Sequence, residues 1–145
     1  MKIVAAVKAM EAQCMALARA SGQLNTVFTA PPASLRVARA EAFGKREVLA
    51  AVHERKVLGF AWVRPPRCGS DHASRLMYAV APDPEVLRSL VQEALRRSSH
   101  GAVVYHAPRT QQFGDIIDWL TIAGMRFGGY SYVGTEPATV LEISL

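Results

Sequence analysis

The stretch Leu76–Leu90, LMYAVAPDPEVLRSL, decides the fold because it runs from a strand directly into a helix. Its first residues are apolar and aromatic, which is typical of a buried strand. Asp83 is a favoured N-cap residue, Pro84 fits the first helical position, and Glu85 suits the positive end of a helix. The pattern therefore predicts a helix that begins at Pro84 and is capped by its own side chain.

This helix is also the most clearly amphipathic segment of the chain. Helical spacing places six apolar residues on one face, which we expect to be buried, and five polar residues on the other, which we expect to be solvated. The apolar face comprises Val86, Leu87, Leu90, Val91, Ala94 and Leu95, and the polar face comprises Arg88, Gln92, Glu93, Arg96 and Arg97.

Periodicity and turn residues predict the other elements around this unit. In the strand 57–64 we expect Leu58, Phe60 and Trp62 on one face and Val57, Gly59, Ala61 and Val63 on the other. Both faces are apolar, which indicates a central strand covered on each side. The order predicts a single domain, 1–145, of the α/β class, with a sheet of mixed direction and helices on both faces. Its expected strands are 2–7, 48–53, 57–64, 74–80, 102–106, 127–133 and 139–145, and its expected helices are 10–21, 34–43, 84–97 and 111–123.

Composition excludes several classes of protein. The chain has 145 residues and a formal net charge of +5, but its basic residues are spread out, so we do not expect nucleic acid as the main partner. No apolar run approaches the roughly 18–20 residues that a membrane span needs, and residues 1–20 lack a signal-peptide core. We expect Cys14 on the apolar stripe of its helix and Cys68 in a loop, with no metal site.

The order of elements resembles that of the GCN5-related N-acetyltransferase (GNAT) superfamily over nearly the whole chain, which implies a mixed, mostly antiparallel central sheet with helices on both faces. Val80-Ala81-Pro82 is similar to the Val-x-Pro end of that family's fourth strand, and Leu90-Val91 to the paired aliphatic residues of the following helix. The segment 119–125 resembles the end of its fourth helix, and Phe127–Tyr132 the next strand. The C-terminal third, Val103–Ser144, also resembles small GNAT-like proteins of short-tailed bacteriophages, some of them linked to the virion or its assembly.

The resemblance implies a place for acetyl-CoA between the fourth and fifth strands, with Tyr78, Val80 and Arg88 as candidate cofactor-binding residues. The family binds the pyrophosphate through a glycine-rich loop at the start of the next helix, where backbone amides face the anion. Here no glycine lies between Pro82 and Leu90. Because Pro84 has no N–H and two carboxylates flank it, the sequence predicts that no cofactor is bound. If the protein is active, the expected cofactor is acetyl-CoA.

The catalytic side chains that the family implies are also altered. Leu120 stands where the family often has a proton-donating tyrosine, and Phe113 where it often has an asparagine. His106, at the carboxyl end of a predicted strand, is a candidate general base. Tyr130 and Tyr132 are candidate replacements for the missing tyrosine.

Two principal hypotheses follow, and both leave enzyme activity to be tested. The first is a GNAT-fold protein with a degenerate acetyl-CoA site, which acts as a non-catalytic structural or interaction component, as in a phage virion or its assembly. Its expected partners are proteins, in a virion or a homo-oligomer, and its expected location is the cytoplasm or the virion. The alternative is an acetyl-CoA-dependent N-acetyltransferase with an atypical pyrophosphate loop.

Overall fold

The fold is one sheet with helices on both faces, in a computed structural model that describes residues 1–21, 33–67, 72–108 and 114–145. A short 3-10 helix, Lys8–Met10, precedes the first α-helix. The strands are β1 (Lys2–Ala5), β2 (Val48–His53), β3 (Lys56–Arg64), β4 (Ser74–Val80), β5 (Ala102–Pro108), β6 (Arg126–Val133) and β7 (Glu136–Ser144). The helices are α1 (Glu11–Ala20), α2 (Ala33–Ala42), α3 (Pro84–Arg97) and α4 (Gly114–Ile122).

The strand order is β1-β2-β3-β4-β5-β7-β6, and only β4 and β5 pair in parallel. A parallel pair needs a crossover connection, which α3 supplies between β4 and β5. The other pairs are antiparallel. The predicted α/β class, with a mixed, mostly antiparallel sheet, is therefore confirmed.

Each face of the sheet has its own core. The face under α3 and α4 buries Leu87, Leu90 and Leu120 against β3, β4 and β5, and the predicted apolar face of α3 is wholly buried. The face under α1 and α2 buries Cys14, whose environment matches the prediction, with larger residues of the central strands. The largest of these are Phe60, Trp62 and Tyr78.

The expected alternation along β3 is wrong at its first residues. Ala51 pairs with Gly59 and Val52 with Val57, which leaves Leu58 unpaired in a bulge. The bulge turns Val57 toward the α1 and α2 face, where it packs with Phe60 and the residues around it. Because periodicity cannot register an extra residue, the sequence placed Val57 on the opposite face.

Element ends also differ from the predicted boundaries. β1 ends at Ala5 rather than Val7, because Val7 is the extended N-cap of the 3-10 helix. β6 and β7 are joined by Gly134 and Thr135 alone instead of a four-residue connection, with Gly134 at φ 62°. Residues 111–113 of the predicted fourth helix lie outside the described residues. No helix in the described ranges is long and apolar enough to cross a membrane.

Candidate functional site

β4 and β5 part from each other midway along their length. Their parallel ladder holds three pairs and ends where Leu76 meets Tyr105. β4 nevertheless continues to Val80, paired with β3, and β5 continues to Pro108, paired with β7. The facing edges of the two strands therefore form a crevice between 77–80 and 106–108, which we call the β4–β5 crevice.

A bulge in β4 explains the divergence. Tyr78 pairs with Trp62 and Leu76 pairs with Val63, so Met77 has no partner on β3. A bulge bends its strand and increases the local twist. Because Met77 directly follows the last residue that pairs with β5, the bend turns the rest of β4 away from β5. Main-chain groups on the crevice side of both strands are thus left without a partner in the ladder.

His106 is the first residue of β5 beyond that ladder. It shares the α1 and α2 face of the sheet with Val104 and, through the register, with Arg75 of β4. Its Nδ1 atom is buried and has no hydrogen-bond partner within the described ranges. Burial, and then the nearby Arg75 guanidinium, lower the pKa of His106 below its ordinary value of 6.5. The imidazole is therefore neutral near pH 7 and can accept a proton.

Two arginines lie beside the start of the crevice. Arg64 of β3 and Arg75 of β4 are directly opposite each other in the antiparallel ladder, and both side chains are partly buried. Arg64 Nη1 contacts the sulfur of Met77 at 4.0 Å. Burial lowers the pKa of Arg75. Neither guanidinium forms an ion pair with a carboxylate in the part of the chain that the structure describes.

The start of α3, at the end of β4, is capped as predicted. The Val86 N–H donates to the Asp83 carboxylate at 2.9 Å, and Pro84 occupies the first helical position without an N–H of its own. Glu85 is exposed and lies 3.8 Å from Arg88. One N–H at the helix N-terminus, that of Val86, is therefore already bonded to the Asp83 side chain. The carboxylates of Asp83 and Glu85 also place negative charge where an anion would approach.

Gly59 sets the distance between β3 and the end of β4. A Cβ atom at this position would lie 2.6 Å from the Val80 carbonyl oxygen and 3.1 Å from the Ala81 Cα. It would also lie 3.4 Å from a methyl group of Val86 in α3. The absence of a side chain therefore lets β4 and the first turn of α3 pack closely on β3.

The predicted cofactor-binding residues lie in different places. Tyr78 and Val80 belong to the part of β4 that borders the crevice, but their side chains are buried in the α1 and α2 core. Only their main-chain groups are therefore available at the strand edge. Arg88 is exposed on α3 beside Glu85, away from the core-facing side of that helix.

The predicted catalytic residues are not brought together. His106 borders the crevice, whereas Tyr130 and Tyr132 lie on β6, the edge strand, with β7 between it and β5. Their exposed fractions are 79% and 67%, and the Tyr130 ring packs edge-on against Phe127 at 5.2 Å. Leu120, in the place of the family's tyrosine, is fully buried in the core, and Phe113 lies outside the described residues.

Sequence reasoning did not single out Arg64, Arg75 or Tyr105. Tyr105 is the last residue of β5 that pairs with β4, and burial raises the pKa of its hydroxyl, so this group keeps its proton at neutral pH. The two arginines are eleven residues apart, and only the β3–β4 register makes them neighbours. In the described ranges, no three His, Cys, Asp or Glu side chains are grouped so as to hold a metal ion.

Comparisons with known proteins rest on structure alone, since no family model and no curated protein sequence matches the chain. A GNAT-family acetyltransferase from Bacillus cereus superposes with a TM-score of 0.71 at 10% identity, over 99% of this chain and 96% of that one. A ribosomal-protein-alanine N-acetyltransferase from Brucella melitensis gives a TM-score of 0.65 at 20% identity, over all of both chains.

A third similar structure, from Salmonella typhimurium, was solved with acetyl-CoA as its cofactor. It superposes with a TM-score of 0.68 at 14% identity, over 99% of this chain and 93% of that one. The narrower resemblance to phage proteins stays a prediction. At identities this low, structural similarity establishes the fold, whereas activity has to be argued from the residues of the site. The chain therefore has the GNAT fold, with a β4–β5 crevice and a self-capped α3.

Proposed function

We propose that this protein is an acetyl-CoA-dependent N-acetyltransferase that binds acetyl-CoA mainly through the pantetheine arm of that molecule. The observation that carries the proposal is the bulge at Met77, which opens β4 from β5 and leaves strand edges without a ladder partner. Polar main-chain groups in such a crevice require hydrogen-bonding partners. An extended chain with amide groups, such as pantetheine, supplies donors and acceptors at strand spacing.

The residues present fit one half of acetyl-CoA and not the other. The edges of 77–80 and 106–108 suit the amides of the pantetheine arm. The start of α3 does not suit a pyrophosphate, since Asp83 occupies the Val86 N–H and Pro84 offers none. A carboxylate and a phosphate charge 4 Å apart repel each other by about 1 kcal/mol even in water, and more where water is excluded. We therefore infer that the pyrophosphate end lies away from this helix start.

His106 is the proposed general base. A neutral imidazole beside the crevice can take the proton that the acceptor amine loses as its nitrogen bonds to the acetyl carbon. The C–S bond of the thioester then breaks, and the leaving thiolate takes up the proton that His106 has accepted, so an acetamide and a free thiol result and the imidazole is neutral again. The lowered pKa of His106 keeps the imidazole unprotonated near neutrality.

Calorimetry with fragments of the donor tests the proposal. S-acetylpantetheine, which lacks the pyrophosphate, should bind within about tenfold of acetyl-CoA, and adenosine 3′,5′-bisphosphate should compete poorly. Asp83→Asn combined with Glu85→Gln should raise the affinity for acetyl-CoA but not for S-acetylpantetheine, because it removes the repulsion that keeps the pyrophosphate from this helix start. The cap is kept, because asparagine caps helices as well as aspartate does. Absence of binding by both acetylated compounds at millimolar concentration would overturn the proposal.

We propose a second function, as a non-catalytic interaction component, on the evidence of β6. This edge strand exposes Phe127, Tyr130 and Tyr132, and no other strand of the described part of the chain pairs with its outer side. Unprotected edges of this kind pair with other chains, as in a homo-oligomer or a virion. Native mass spectrometry of Tyr130→Lys tests it, with Ser131→Lys as the matched control on the opposite face. An assembly that only Tyr130→Lys disrupts supports this function, and a monomeric wild type contradicts it.

A further inference from the structure

We infer that Arg64 and Arg75 form an oxyanion-binding subsite for the acceptor, so that the acetylated amine carries a carboxylate or phosphate group. The identity of the anion as an acetyl acceptor rests on the proposed function. The anion-binding subsite itself rests only on the position of the two arginines in the sheet. Three observations carry it: the pairing of two like charges, the lack of a carboxylate partner for either within residues 1–21, 33–67, 72–108 and 114–145, and their place beside the crevice.

The pairing of the two arginines is unfavourable without a ligand. Residues directly opposite in an antiparallel pair have Cβ atoms about 5 Å apart, and like charges at such positions destabilise the sheet. Both side chains are partly buried, which weakens screening by water and salt. Within the described ranges, no carboxylate lies within 4.0 Å of either guanidinium. Arg64 Nε is also buried there without a hydrogen-bond partner.

An oxyanion is the ligand whose chemistry meets these conditions. It would neutralise both guanidinium groups at once, and arginine binds carboxylate and phosphate through parallel N–H donors. On this face, exposed Glu142 pairs with Val104 on the far side of β5, and the Glu47 carboxylate accepts a hydrogen bond from Trp62 Nε1 at 3.5 Å. Neither of these carboxylates forms an ion pair with Arg64 or Arg75.

The position of the pair connects it to acetyl transfer. Arg75 precedes the bulge residue Met77 by two positions, and Arg64 contacts the Met77 sulfur. His106, the proposed base, lies on the same face of the sheet, two residues beyond the Val104 neighbour of Arg75. An anion held by the arginines would therefore place an amine on a short linker at the mouth of the crevice. The acceptor class that fits is a small amine with a carboxylate or phosphate a few atoms from its nitrogen.

Anion binding without any acyl donor tests the subsite independently of catalysis. Succinate and inorganic phosphate are the probes, titrated calorimetrically into wild-type protein, Arg75→Gln, Arg64→Gln and the control Arg55→Gln. Arg55 lies on the exposed β2–β3 turn, at the opposite end of β3 from Arg64. We expect the crevice variants Arg64→Gln and Arg75→Gln each to bind the anion about 10- to 100-fold more weakly, which is the effect of losing a hydrogen bond to a charged group. The Arg55 variant should match the wild type.

Thermal unfolding separates a binding role from a structural one. Without anion, Arg75→Gln should unfold at the wild-type temperature or above it, because the change relieves repulsion between like charges. With the tighter-binding probe at ten times its Kd for the wild type, wild-type protein should gain roughly 3–5 °C and the variant at most roughly 1–2 °C. A wild-type protein that binds neither probe at 20 mM, or a crevice variant that binds as well as wild type, would overturn the subsite.

Matched acceptors then link the subsite to the proposed function. With acetyl-CoA present, β-alanine should be acetylated faster than β-alaninamide, or O-phosphoethanolamine faster than ethanolamine, and the preferred pair distinguishes carboxylate from phosphate. Arg75→Gln should erase the preference, through KM rather than kcat. Equal rates within both pairs would overturn the acceptor assignment. Anion binding without acetylation of any amine would retain the subsite and contradict the proposed transferase.

Discussion

Replacing Gly59 with alanine should destabilise the protein through one identifiable contact. The added Cβ would lie 2.6 Å from the Val80 carbonyl oxygen, about 0.8 Å inside the 3.4 Å at which ordinary contacts begin. The neighbour is backbone in a central strand, so it cannot rotate aside as a flexible side chain would. Either β3 or the end of β4 must move, together with the start of α3, whose Val86 lies in the same contact.

Overpacking of this kind costs about 1–3 kcal/mol. For a chain of this length the melting temperature should fall by roughly 2–4 °C per kcal/mol, hence by roughly 2–12 °C. Urea unfolding of Gly59→Ala should show a lower midpoint with an unchanged slope. Acetyl-CoA affinity should fall as well, if the proposed function is right, because the displaced segment borders the β4–β5 crevice.

Gly44→Ala is the matched control. The nearest atom to its added Cβ would be the Glu41 carbonyl oxygen at 3.6 Å, an ordinary contact distance. Its φ angle is not among the positive ones, so alanine should be neutral or stabilise by up to about 1 kcal/mol. If Gly59→Ala were as stable as Gly44→Ala, the argument from close strand approach would be refuted.

Three further predictions concern other parts of the molecule. Asp83→Ala should lower the free energy of unfolding by about 1 kcal/mol and Asp83→Asn should leave it unchanged, as urea titration would show, and equal losses would contradict the capping role. Hydrogen bonds from Arg96 and then Arg97 lower the pKa of Glu93 from 4.5 to about 2, so its contribution to stability is complete above pH 4.5 and is lost as the pH falls toward 2. Glu93→Gln should remove that part of the acid-dependent loss in melting temperature, and an unchanged pH profile would disprove it. Burial, with a smaller effect of Glu11, raises the pKa of Cys14 to about 12. In a Cys68→Ser background the remaining thiol should therefore react with a thiol reagent only as fast as the protein unfolds, whereas rapid labelling of native protein would count against this.

The local features of α3 could be predicted because they depend on neighbouring residues. Asp83, Pro84 and the spacing of the buried leucines define a cap and a face without reference to the rest of the chain. The alternation along β3 failed at Val57 because a bulge adds one residue without any change in apolar pattern. For the same reason the bulge at Met77, on which the crevice depends, left no mark in the sequence.

The candidate site shows the same division. His106 could be selected from the sequence because local periodicity ends the predicted strand there, although β5 in fact continues to Pro108. Tyr130 and Tyr132 were chosen because they follow the fourth helix in the chain, but β7 inserts between β5 and β6 and leaves them on the edge of the sheet. Arg64 and Arg75 lie on different strands, and no local pattern relates them.

The sequence by itself determined the α/β class, the GNAT-like order of elements and the self-capped start of α3, since these follow from periodicity and from contacts within a few residues. Tertiary structure alone decided where β4 leaves β5, which residues border the crevice and which like charges lie opposite each other. The physical reason is that strand register is set by packing between segments far apart in the chain, and a shift of one residue reverses the face of every side chain that follows.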